Sequence, residues 1–152
     1  MKKTTFTIFI LLLISINSFA QGKGQKKYLP KQFKDLYFGM DLSSFKKVRN
    51  IEKMKKDTIM GFRTEYFQEN IGDGVYEVIY YFTKGEKGIL YEMIIDFEFD
   101  YDIESELPKL YGEEFGAEEF TLECGENFKL RAWGGEKRLV IAAKIKNTEW
   151  DE

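Results

Sequence analysis

ILYEMIIDFEF, Ile89 to Phe99, is the most regular stretch of the chain. Ile89, Tyr91, Met93, Ile95, Phe97 and Phe99 alternate with Leu90, Glu92, Ile94, Asp96 and Glu98. A period of two predicts a β-strand with one face in a core and the other partly wet. Working outward, VYEVIYYFT (Val75–Thr83) carries β-branched and aromatic residues on both faces, as a central strand does. IMGFRTEYFQE (Ile59–Glu69) is read as the strand before it, and Asp73-Gly74 as the hairpin turn between the two. KGEKG (Lys84–Gly88) is the next turn. Downstream, EEFTLEC (Glu118–Cys124), NFKLRAW (Asn127–Trp133) and KRLVIAAKIK (Lys137–Lys146) read as three more strands. The last two form a hairpin across Gly134, Gly135 and Glu136. Phe128, Leu130 and Ala132 then face inward with Leu139, Ile141, Ala143 and Ile145, while Trp133 faces outward.

Two segments carry helical spacing instead. In DLSSFKKVRN (Asp41–Asn50), Leu42, Phe45 and Val48 form one stripe. Asp41 is placed to cap the first turn, and Lys46, Lys47 and Arg49 suit the negative end of the helix dipole. The basic run continues through Lys53, Lys55 and Lys56, read as a loop. In DIESELPKLYG (Asp102–Gly112), Asp102 is the expected N-cap and Gly112 the C-cap. Pro108 must kink that helix or start it, because an interior proline removes a hydrogen bond and clashes with the preceding turn. Short turns, not crossover helices, join the strands, which requires antiparallel pairing. The expected fold class is α+β: an antiparallel sheet of about five to six strands with two short helices on one face. KDLYFG (Lys34–Gly39) and PKLYG (Pro108–Gly112) echo each other, and each half carries one helix and a run of strands.

The chain opens with Lys2 and Lys3, an apolar run from Phe6 to Ile16, and small residues at Ser18 and Ala20. This is the pattern of a secretory signal peptide over residues 1–20. Residues 21–27, QGKGQKK, read as a flexible basic leader, and 28–150 as a single α+β domain. The expected location is exported, periplasmic or extracellular, with no transmembrane segment after signal cleavage. Loss of Lys2 and Lys3 takes the net charge from −3 to −5, which argues against nucleic acid as a partner. Cys124 is the one cysteine, so no internal disulfide forms. It reads as a small buried apolar residue, against a nucleophile or a bridge between chains. With no histidine, Ser-His-Asp and Cys-His catalysis and His-bearing metal sites are excluded.

FGMDLSSFKKVRN (Phe38–Asn50) resembles the helix opening of small bacterial envelope proteins, those of the outer-membrane assembly lipoprotein and β-lactamase-inhibitor-protein-like type. That resemblance implies two short helices packed on an antiparallel sheet, and a protein that binds other proteins.

Chemistry is sought first in DFEFDYDIESE, where Asp96, Glu98, Asp100, Asp102, Glu104 and Glu106 recur at every second position. Three readings compete. Asp100, Asp102 and Glu104 at a strand-to-helix junction could hold Ca²⁺ in an irregular site, since an EF-hand loop fits neither register. Acids among Asp96, Glu98 and Asp100 could serve a carboxylate-based hydrolase of exported glycans. Alternation also follows from the solvated side of a strand running into an acidic helix start. No other cofactor is indicated. Charge is segregated: residues 21–60 carry +7, 96–126 carry −11, and 127–146 carry +5. Such segregation suits cross-strand pairing or a complementary partner. Tyr76, Tyr80 and Phe82 on one face of the central strand, with Trp133, would form an aromatic binding platform if exposed. The favoured function is a secreted or periplasmic non-catalytic binding module for a protein or cell-envelope ligand. The glycan hydrolase and the calcium-stabilised domain are its rivals.

Overall fold

The computed structural model describes residues 24–58, 63–113, 115, 120–124 and 128–151. The expected signal peptide and the first three leader residues lie outside them. Strands Lys55–Asp57 (β1), Arg63–Gly72 (β2), Val75–Thr83 (β3), Leu90–Phe97 (β4), Phe120–Glu123 (β5), Lys129–Gly135 (β6) and Arg138–Ala143 (β7) form one antiparallel sheet. Their order is β1-β2-β3-β4-β7-β6-β5. Two meanders, β2-β3-β4 and β5-β6-β7, therefore meet at the β4–β7 pair. Each meander follows a short helix, Leu42–Val48 (α1) or Leu107–Tyr111 (α2).

The strand count is seven, not five to six. The basic run read as a loop supplies β1, three exposed residues paired with Phe67, Tyr66 and Glu65. Its side chains carry no apolar period, so pairing with β2 makes it a strand. Lysines on an edge strand also discourage pairing with another chain.

Helix α1 is seated by Phe45, which is fully buried with ring centroids 4.8 Å from Tyr80 and 5.1 Å from Phe82. Asp41 caps it as expected: its Oδ1 accepts from the Ser44 N–H at 2.8 Å. The Ser43 hydroxyl and Ser44 amide hold that carboxyl below the usual range. Asp41→Ala is expected to cost about 1 kcal/mol, read by urea denaturation, with Asp41→Ser restoring most of it. Arg49 ties the helix end to the preceding loop, donating to Asp35 and to the Gln32 carbonyl. In α2, Pro108 sits in the first turn, where its missing N–H costs nothing. The turn ahead of it is held by Asp102, whose Oδ1 accepts from the Ser105 N–H at 3.2 Å. Leu107 and Tyr111 belong to the same buried cluster as Tyr80, Phe82, Met93 and Ile141.

Packing departs from the sequence pattern at two ends. The leader was expected to be flexible through Lys27, yet Gln25 is fully buried. Its side chain accepts from the Phe38 N–H at 2.7 Å and donates to the Phe38 carbonyl at 3.1 Å. In β4 the strict alternation fails. Tyr81 pairs with Glu92 and Phe82 with Leu90, leaving Tyr91 as the extra residue of a bulge. Leu90, Met93, Ile95 and Phe97 join the core cluster, whereas Tyr91 is diverted from it. Phe99 is not inward at all: the strand stops at Phe97 and Phe99 is 92% exposed.

Asp73 and Gly74, at φ 51° and 79°, make the expected two-residue hairpin turn. Glycine is required at 74 because a Cβ there would lie 1.8 Å from the Tyr101 ring.

Candidate functional site

The sheet has two unlike faces. One carries the core cluster and both helices. On the other, the register aligns Glu65, Tyr81, Glu92, Ala142 and Arg131 in a single row across β2, β3, β4, β7 and β6. Glu65 is 1% and Glu92 6% exposed, so this row buries two carboxylates. Ionised carboxylates leave water only with compensating partners, and these come from Arg63 and from the segment after β7.

Residues 144–151 turn at Asn147 (φ 64°) and bring Glu149 and Trp150 onto the row. The Trp150 indole N–H donates to Glu92 Oε2 at 2.9 Å. Its rings lie 5.2 Å from Trp133, and the Arg131 guanidinium is 5.9 Å from its ring. Glu149 Oε1 accepts from Arg63 at 2.8 Å and from the Tyr91 hydroxyl at 3.1 Å. Arg63 also donates to Glu65 Oε1 at 2.8 Å and lies 4.5 Å from the Tyr81 ring. The β4 bulge is what brings the Tyr91 hydroxyl to Glu149.

Electrostatics differ among these acids. Burial pushes the Glu92 carboxyl up to about 7, with Glu149 adding to the rise and the Trp150 indole opposing it. Burial alone would lower the Arg63 pKa, but its hydrogen bonds to Glu149 and Glu65 outweigh that and raise it. Burial also lifts Tyr81 to about 12. Glu65 is thus hydrogen-bonded to a guanidinium, and Glu92 to an indole N–H.

Beside this row lies an apolar one. Phe67, Ile79, Ile94, Val140 and Trp133 are aligned across the same five strands. All but Val140 are partly exposed. The next row is charged: Glu69, Glu77, Asp96 and Arg138. There Arg138 holds Asp96 with two hydrogen bonds, at 2.6 and 2.8 Å.

The residues singled out from sequence are dispersed. Tyr80 and Phe82 are fully buried beneath Phe45, so they are core and not a platform. Tyr76 does not share their face, because pairing shifts between Val75 and Glu77; it is 58% exposed. Trp133 does lie on the outer face, half-buried against Trp150. Asp100, Asp102 and Glu104 are exposed, and Asp102 is engaged in its turn. Among the described residues no three Cys, Asp or Glu side chains are grouped to hold a metal ion. Of the acids considered for hydrolysis, Asp96 is paired with Arg138, while Glu98 and Asp100 are exposed. Cys124 is buried, its thiol pushed up to about 11 by that burial, which suppresses the reactive thiolate. Segregated charge is used partly in cross-strand pairs, Asp96 with Arg138 and Glu123 with Lys129 at 2.7 Å.

Glu65, Arg63, Glu149 and Trp150 were not anticipated as a group. The outward position of Glu92 in its strand was the available signal; the return of the segment after β7 had none. Comparison of the chain with protein-family models, curated proteins and solved structures finds no match. Among the described residues no helix is long and apolar enough to cross a membrane.

Proposed function

We propose that this chain is an exported, non-catalytic α+β binding module whose ligand is a protein or cell-envelope component. The observation that carries the reading is the apolar row Phe67–Ile79–Ile94–Val140–Trp133, partly exposed at all but Val140, on the face opposite the helices. Aligned apolar side chains bordered by charged ones are what a protein partner buries at the centre of an interface. Kinship with the small envelope binding proteins, suggested by Phe38–Asn50, belongs to the same proposal. A photo-crosslinking amino acid at Ile79 in the exporting cell should yield a discrete protein adduct, and Ile94→Asp should abolish it. The same group at Lys47 should give no such adduct. Equal labelling from both positions, or an adduct indifferent to Ile94→Asp, would refute docking on this row.

A second reading, a carboxylate-based glycan hydrolase, has one observation in its favour. Glu92 and Glu65 share a row, and burial raises the Glu92 carboxyl toward the range a general acid needs. It predicts that Glu92→Gln and Glu65→Gln each abolish release of reducing ends from envelope glycan. Full release by both variants rules that reading out.

A further inference from the structure

The apolar row on the outer face offers partly exposed side chains at Phe67, Ile79, Ile94 and Trp133. Four steps between neighbouring strands make it about 19 Å long. Lys55 closes it at the β1 edge, paired with Phe67 and with its ammonium 5.8 Å from that ring. From β2 onward one border of the row is acidic. Glu69, Glu77 and Asp96 are aligned there, each two residues along its strand from Phe67, Ile79 or Ile94 and so on the same face. Arg138, the base in that line, is committed to Asp96 by two hydrogen bonds. Among the described residues Glu69 and Glu77 have no ion-pair partner. Past this border lie two exposed rings. Tyr76, next in sequence to Glu77, is 58% exposed, and Phe99, beyond the end of β4, is 92% exposed. The Glu98 N–H donates to the Gly74 carbonyl at 2.9 Å, which ties these two strand ends together. Exposed rings attract cations through their faces, and the Lys137 ammonium lies 5.9 Å from the Phe99 ring.

We infer that the protein segment seated on this row is cationic and amphipathic. Its apolar side chains cover Phe67, Ile79, Ile94 and Trp133, and its Lys or Arg side chains meet Glu69 and Glu77. The inference rests on the docking proposed above and names the chemistry of that partner. Apolar contact alone does not choose between partners. Charge does, because opposite charges steer the encounter and fix register, while like charges facing each other reject the wrong partner. An acidic segment therefore meets repulsion along the whole border. So does a second copy of this chain in either orientation: the acidic line faces its own counterpart, or, turned round, the Glu65–Glu92 row.

Calorimetric titration of the protein produced from its full chain tests this with two probes. One is an amphipathic peptide of leucine and lysine about 14 residues long, which as a helix spans the row. The other is its leucine and glutamate counterpart. The lysine peptide should bind saturably at one site, and the glutamate peptide should not. Glu69→Lys with Glu77→Lys should weaken binding by about tenfold or more. Glu52→Lys with Glu86→Lys, an equal change of net charge away from this face, should leave it unchanged. In the exporting cell, the adduct formed from position 79 should be lost in the Glu69→Lys, Glu77→Lys protein. Mass spectrometry of that adduct should place the crosslink in a segment where Lys or Arg alternates with apolar residues. An adduct that survives this charge reversal yet is lost in Ile94→Asp would leave docking on the row standing and overturn the cationic partner. No adduct at all would overturn both. Equal binding of the two peptides, no saturable binding of the lysine peptide, or a crosslink joining two copies of this chain would also overturn the inference.

Discussion

Glu92→Gln is expected to stabilise the protein above neutral pH and to leave it unchanged in acid. The folded-state pKa of Glu92 is about 7 against an ordinary 4.5, raised mainly by burial. Between those values the folded chain binds more protons than the unfolded one, so stability falls as pH rises. The contribution is fully present below about pH 4.5 and is lost as pH rises through about 7. A displacement of that size corresponds to about 3 kcal/mol. Gln keeps an acceptor for the Trp150 indole and cannot ionise. Its advantage should therefore grow from near zero at about pH 4 to about 3 kcal/mol at about pH 8. In melting temperature that is of order 10 °C for a chain of this length. Thermal melts of both proteins across this range provide the measurement. Trp150→Phe should act in the opposite sense, steepening the loss, because the indole N–H favours the charged form. Parallel pH profiles for wild type and Glu92→Gln would show that Glu92 keeps an ordinary pKa when folded.

Phe45→Ala should cost about 3–5 kcal/mol, the usual range for removing a fully buried phenylalanine. Phe45 is 0% exposed and edge-on to both Tyr80 and Phe82. Helix α1 has seven residues, too short to persist without packing. Losing this ring removes its principal anchor as well as opening a cavity, which places the expected value toward the upper end. Val48→Ala on the same helix should change stability by no more than about 0.5 kcal/mol, since Val48 is 40% exposed. Equilibrium urea unfolding separates the two. A Phe45→Ala midpoint within error of Val48→Ala would mean that α1 does not contribute to the cooperative core.

Both predictions rest on features differently accessible from sequence. Phe45 stood in a visible stripe with Leu42 and Val48, capped by Asp41, and the structure seats it on the core as that pattern implies. The Glu92 site was half visible. Its strand and its outward position could be read; what lies over it could not. Tyr80 and Phe82 show the same limit in reverse. Their aromatic character suggested a platform, and α1, more than thirty residues earlier, makes them core. The acidic stretch from Asp96 supplies a paired strand residue, exposed loop acids and a turn cap, roles that its alternation alone did not separate.

Local periodicity determined the strands Val75–Thr83 and Leu90–Phe97, the capped helix Leu42–Val48 and the antiparallel hairpins. Those depend on backbone sterics and on which side chains seek burial, both written into neighbouring residues. Tertiary structure decided the β4–β7 junction, the edge strand Lys55–Asp57, the bulge at Tyr91 and the return of Glu149 and Trp150 over Glu65 and Glu92. These are contacts between residues as many as 86 positions apart. Their energies depend on which partner arrives, and no local pattern records that.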